Sequence, residues 1–291
     1  MKSENEILQA ENEILQAGES IEANSSTNAN KFSFDIIGYL KHFTHKWIAV
    51  ILFFVLWQII PSLNPVWGMF IVPPTVIAST MVSLTLSGVL ISNLEVSLFR
   101  VLTAFALALV VGLSVGLLLG GFFRSIQKTL DPLLQMISQA NPFTLFPIFI
   151  AFLGIGEVSK IVFIFFVTQW PILFNTVAGI TNVDPILVKV AKTAGLGRFA
   201  VFQKVLLPAS LPTVFTGIRM AAVFSLFMLI GAEMLGSTAG LGYMIMQAEG
   251  IMNYPTMYVG IVVVAMLGII FMYSITLVEK RLTRWKQDIT Y

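Results

Sequence analysis

An all-α integral membrane protein with six transmembrane helices is the fold class this sequence predicts. Three observations carry that reading. The 291 residues are 57% hydrophobic and only 11% charged, where water-soluble domains carry about 25% charged residues. The apolar residues come in long uncharged runs. Lysine and arginine are strongly biased to alternate connections between those runs, the asymmetry that orients membrane helices. With no cysteine in the chain, a disulfide framework is excluded.

The first 46 residues are polar, and ENEILQA occurs twice, at 4–10 and 11–17. Two heptads are too few for a coiled coil, so a disordered or transiently helical tail is expected. Its acidic start, without an apolar core, argues against a cleaved signal peptide. Residues 47–94 carry no charge, and 47–65 is the first candidate crossing. The outer loop at 61–94 then holds four prolines, and a short interfacial or re-entrant helix is expected after Pro73-Pro74. Further uncharged runs cover 101–123, 132–156, 161–183 and 250–278, and one around 212–235 is interrupted by Arg219 and Glu233. A hydrocarbon core of ~30 Å takes about 20 helical residues, so each run suffices for one crossing.

With the N-terminus inside, only Arg100 and Lys160 of the 17 basic residues fall on outer segments. Both termini and the 184–211 loop are therefore expected in the cytoplasm. Lys280, Arg281, Arg284 and Lys286 read as a topology anchor. The chain divides into a tail (1–46), a first crossing with its outer loop (47–92), a five-helix domain (93–279) and a basic tail (280–291).

Gly112, Gly116 and Gly120 recur every four residues in the second crossing, which puts them on one face and favours close helix packing. A wall of the substrate path is the alternative. Polar residues inside hydrocarbon usually face the bundle interior. Gln135, Gln139 and Asn141 in the third crossing, Gln169 and Asn175 in the fourth, and Glu233 in the fifth are such residues. Gln139, Asn141 and Gln169 are expected to line a central path, with Asn175 and Glu233 as further candidates. Glu233 needs a partner, and Arg219, 14 residues earlier on the same helix and roughly 21 Å away along the axis, cannot be that partner within one chain. Pro142, Pro147 and Pro171 can kink the third and fourth crossings.

Between the fourth and fifth crossings lies a polar hairpin. Asp184 can cap a helix opened by Pro185, and Gly195 stands where that helix needs a left-handed residue to end. Ile186, Leu187, Val190, Ala191 and Ala194 fall on one side and Lys189 and Lys192 largely off it. A second short helix with Phe199, Phe202, Val205 and Leu206 is expected to break at Pro208. A hairpin this apolar calls for a protein partner.

Lys189 to Gly195 (KVAKTAG), followed by Leu207-Pro208, resembles the "EAA…G…LP" loop of permease subunits of binding-protein-dependent ABC importers. Ala191 stands at the motif's last alanine, Gly195 at its glycine, and Leu207 and Pro208 at its closing pair. Lys189 stands where the family usually has glutamate and Val190 where it has the first alanine. That bears on any ion pair the glutamate would make, not on the fold. Gly154 to Lys160, Trp170-Pro171 with Asn175-Thr176, and Ala232-Glu233-Met234-Leu235 with Gly240-Leu241-Gly242-Tyr243 resemble the nitrate/sulfonate/taurine branch. The resemblance, from about 94 to 286, implies the type I importer fold with a cytoplasmic coupling helix, in the bacterial inner membrane. It also implies a permease homodimer, ABC ATPase subunits on the loop, an extracytoplasmic solute-binding protein, and alternating access. ATP and Mg would sit on the ATPase, so this chain would not itself be an enzyme.

The sequence lacks G-x-x-x-x-G-K-[ST], so no phosphate loop of that kind is present. It lacks H-E-x-x-H as well. His42 and His45 are its only histidines, too few ligands for a metal site. Neither catalytic residues nor nucleic-acid binding are expected. A secondary transporter or channel working without an ATPase would call for inverted repeats with broken helices, and a membrane-embedded enzyme for a recognisable catalytic set. Neither pattern stands out.

Overall fold

The structure, a computed structural model, describes residues 48–283, without the side chains of Pro65 and Val66. The ENEILQA repeat, the histidines, and Arg284 and Lys286 lie outside the described residues. Contacts divide the chain at Met69/Phe70 rather than near residue 92, because α3 packs along α12.

In the first unit, α1 spans Ile48–Leu63 and α2, Pro65–Phe70, begins at its end. Most large side chains of α1 are exposed, Ile51 and Phe53 each at 59%, as suits a helix whose solvent is lipid. Its described length falls short of a full crossing.

The second unit contains α3 (Pro74–Leu86), α4 (Val89–Leu117), α5 (Arg124–Ser138), α6 (Pro142–Leu153), α7 (Glu157–Thr181), α8 (Pro185–Thr193), α9 (Arg198–Val201), α10 (Leu207–Gly236), α11 (Leu241–Gly250) and α12 (Tyr254–Leu282). Single π turns extend α4 to Phe122 and join α9 to α10. Five helical stretches are long and apolar enough to cross a membrane, six if α5 and α6 count as one. That set includes 67–86 in place of the expected 47–65. However, Phe70 lies 5.4 Å from Tyr254, the first residue of α12, and Gly88 leads directly into α4. A helix therefore follows Pro73-Pro74 where one was expected, packed against α12 and leading straight into α4, and its stretch is itself long and apolar enough to cross.

α7 packs between α4 and α10, and glycines allow the approach. A Cβ on Gly112 would lie 3.0 Å from Ile172, one on Gly116 2.7 Å from Thr176, and one on Gly120 3.3 Å from Val177 Cα. On the other side, a Cβ on Gly217 of α10 would lie 2.6 Å from Asn175 and from the Pro171 carbonyl oxygen. Phe105, Ile172, Val214 and Ile275 form one buried cluster, and Val101, Phe146, Phe163 and Leu229 the other.

Two expectations are corrected. The third crossing, 132–156, is not one helix: α5 and α6 meet at 90° across Gln139–Asn141. Pro142 lacks an N–H and forces the preceding residue out of the helical region. Asn141 is accordingly extended (φ −64°, ψ 116°), and its side chain accepts from Phe143 N. Gln135 donates to Asp131 on the exposed face of α5. In addition, Pro208 does not break the second hairpin helix, which runs continuously from Arg198 to Gly236. Proline lacks the N–H that an α turn would use and its ring crowds the carbonyl four residues back. The π turn Phe202–Leu206 directly precedes it and widens the helix there.

Candidate functional site

Three assemblies stand out: a mid-bundle chamber, a buried ionic network at one end and the capped hairpin at the other.

The chamber, about 720 Å³, lies at the bend between α5 and α6, bounded by the middles of α7 and α10. Gln139, Asn141 and Asn175 line it, with Trp170 and Phe174 of α7 and Met220, Phe224 and Phe227 of α10. All its lining residues are uncharged. Its size is that of a site for a small molecule. Asn175 Nδ2 donates to the Pro171 carbonyl at 2.8 Å, and Asn141 Oδ1 is used as a helix cap, leaving the Asn141 amide N–H groups available.

At the network end four charges converge. Arg100 is 2% exposed and Glu233 fully buried. Arg100 Nε and Nη2 donate to the two carboxylate oxygens of Glu157 at 2.5 and 2.7 Å. Arg100 Nη1 donates to Glu233 Oε1 at 2.8 Å and to the Ala239 carbonyl at 2.7 Å. Ser97 Oγ donates to the Glu233 carboxylate at 2.7 Å and accepts from Leu241 N at 2.8 Å. Gly242 N donates to Glu233 Oε2 at 2.8 Å, and Lys160 Nζ donates to Glu157 at 3.2 Å. Asn93 Oδ1 accepts from Gly240 N. Gly240 has φ +118°, and a Cβ there would run into the Glu233 carboxylate. The network joins α4, α7, α10 and the start of α11. Two arginine or lysine cations face two carboxylates, so the cluster is neutral, as buried charge must be.

At the hairpin end, Asp184 Oδ1 accepts from Ile186 N at 2.8 Å, with Pro185 first in α8. Gly195 has φ +81°. Gly195 N donates to the Lys192 carbonyl and Leu196 N to the Ala191 carbonyl, 3.0 and 3.1 Å. This pair of bonds closes the helix C-terminus. Ala191 is buried at 6%, whereas Ile186, Val190 and Phe199 are exposed at 64%, 61% and 67%. Lys189 and Lys192 are also exposed. Leu207 and Pro208 open α10.

Of the expected path residues, the structure brings Gln139, Asn141 and Asn175 together in the chamber. Gln169 does not line it, and lies on the α7 turn whose carbonyl meets Gly112. Glu233 is enclosed in the network instead. Gly112, Gly116 and Gly120 face α7, not the chamber. Sequence reasoning missed Arg100, Ser97 and Glu157, and the aromatic chamber wall. The rule that intramembrane charges pair with one another could have linked Arg100 to Glu233.

Residues 112–284 match the family described as "binding-protein-dependent transport system inner membrane component". The putative aliphatic sulfonates transport permease protein SsuC of Bacillus subtilis is 35% identical over 233 residues, 80% of this chain and 84% of its own. The taurine transport system permease protein TauC of Escherichia coli is 26% identical over 83% of this chain and 89% of its own. The nitrate import permease protein NrtB of Leptolyngbya laminosa is 32% identical over 61% and 63%. A chain of the inward-facing MetNI methionine ABC transporter superposes with a TM-score of 0.59 at 17% identity, covering 68% of this chain and 98% of that one. That likeness establishes the fold.

Proposed function

The chain belongs to the binding-protein-dependent transport system inner membrane components, as an ABC importer permease of the nitrate/sulfonate/taurine branch, and from that premise we propose how it works. Two copies form the translocation unit, and an ATPase subunit seats on each α8. The ATPase side is the cytoplasm, where both termini lie, and a solute-binding protein delivers cargo at the network end. ATP and Mg are held by the ATPase, and this chain performs no hydrolysis.

The observation that carries the reading is α8: a helix capped at both ends whose exposed face holds Ile186, Leu187 and Val190. An apolar face on a stiff helix suits a lever seated in a partner's groove, and rocking of the bundle then alternates access to the chamber. The uncharged chamber holds its cargo weakly, as passage requires, since a path that binds tightly releases slowly. We infer a small solute of the taurine, alkanesulfonate or nitrate class, with selectivity set chiefly by the binding protein.

The test is purification of the full chain from its native membrane in mild detergent, beside Gly195→Arg, with mass spectrometry of what accompanies each. An ABC ATPase with the wild type, lost in the variant, is expected. No ATPase with the wild type, under conditions that preserve other importers, would overturn the reading. Proteoliposomes of the recovered complex and its binding protein, assayed with labelled taurine, methanesulfonate and nitrate, then decide the cargo. ATP-independent uptake would favour a secondary transporter or channel.

A further inference from the structure

The hairpin meets the rest of the bundle at a contact that neither the capped helix nor the chamber explains. The π turn at the end of α4, Leu118–Phe122, touches the π turn before α10, Phe202–Leu206. The Phe202 ring sits on the bare backbone of Gly121: a Cβ there would lie 2.5 Å from Cε2 and 2.8 Å from Cδ2. The Phe122 and Phe202 ring centroids are 4.7 Å apart. α8 packs on the Phe202–Leu206 turn, and the Leu118–Phe122 turn packs on α7, where Gly120 meets Val177 and Ile180. Single π turns are rare and concentrate at functional sites. Pro208 supplies a local reason for the second. The first falls at Gly120-Gly121, and its effect is to present glycine backbone to the ring.

We propose that Phe202, seated on Gly121 and Phe122, is the joint that passes movement of the hairpin into α4 and, through the glycine face, to α7 and the chamber. The joint rests on the reading of the hairpin as an ATPase seat. Phe202 touches neither solute nor nucleotide, so it is a positioning residue. An aromatic ring against backbone has no flexible arm to absorb a displacement, and packed contacts shift between discrete arrangements instead of deforming gradually.

The chain has no cysteine, so two introduced ones can carry spin labels without interference. Lys192→Cys on α8 and Leu107→Cys on α4, both at exposed positions, report the hairpin-to-α4 distance by pulsed electron resonance. In the permease alone, Phe202→Ala is expected to broaden the distance distribution at least twofold. Gly121→Ala, which pushes the ring out, should broaden it as well. Gly121→Ala with Phe202→Leu, which trades volume across the contact, should restore the wild-type width. In the complex with its co-purified ATPase, nucleotide should leave this distance unchanged in the wild type and shift it in Phe202→Ala, at equal ATPase occupancy. A wild-type width in Phe202→Ala overturns the joint, as does a nucleotide shift of the same size in both chains. Broadening that the double variant does not restore overturns the Gly121 seat. A wild-type chain that binds no ATPase overturns the reading of the hairpin, and the width comparison on the permease alone then decides the joint.

Discussion

The two ends of the bundle handle polarity in opposite ways. At the network end Arg100 and Glu233 are buried and every bond they need is made within the chain. At the hairpin end the backbone is closed by its own caps, yet Ile186, Leu187, Val190 and Phe199 stand exposed. Charge inside and apolar surface outside each invert the arrangement of a water-soluble domain, and the reasons differ. Buried charges that satisfy one another need nothing further and lock helices together. An exposed apolar face on a helix outside the crossings is incomplete by itself and calls for another protein. The difference sets a closed clasp at one end against the face proposed above as an attachment point at the other.

Substitutions can break this contrast, beginning with the clasp. Arg100→Leu leaves Glu233 buried without its cation, and removing one partner of a buried pair costs about 3–5 kcal/mol. Thermal unfolding in detergent should show the largest loss of the series. A wild-type midpoint would mean that the network holds nothing together. Gly116→Val comes next, because a side chain there meets Thr176 at 2.7 Å, and overpacking costs typically 1–3 kcal/mol. Its signature should be a lowered midpoint and separation of α4 from α7, seen as cross-linking lost between cysteines placed in the two helices.

Gly195→Ala sharpens the other side. The left-handed conformation costs a residue with a Cβ roughly 1–2 kcal/mol, confined to the end of α8, so ATPase capture should fall more than the midpoint does. Asp184→Ala removes the cap at the opposite end, worth about 1 kcal/mol, with the same bias. Val190→Asp is the smallest in stability, within about 0.5 kcal/mol for an exposed site, and should abolish ATPase binding. A Val190→Asp chain that still retains the ATPase would remove α8 as the seat.

How much could be read from the residues varied with the range of the interaction. The hairpin helix was legible because its caps are local: Asp184 bonds two residues ahead, and Gly195 and Leu196 bond within the last turn. The glycine face of α4 was legible in its period, though only the structure shows α7 as the neighbour. The break at Gln139–Asn141 was half legible. Pro142 signalled a kink, but its 90° extent, and hence the chamber, depends on how α6 packs against α7. The pairing of Arg100 with Glu233 spans 133 residues, and no local pattern points to it. The π turn that lets helix continue through Pro208 was likewise missed, since proline by itself reads as a stop.

By itself, then, the sequence determined the solvent of the chain, its long apolar stretches, its basic asymmetry and the capped hairpin. These follow from composition and from bonds within a turn or two. Only the tertiary structure decided that Glu233 belongs to a closed ionic clasp, that Gln139, Asn141 and Asn175 share one uncharged chamber while Gln169 does not, and that Phe202 rests on Gly121. Each of those is a meeting of residues far apart in the chain. Which distant groups meet is set by how whole helices pack, and packing is a property of their combined surfaces.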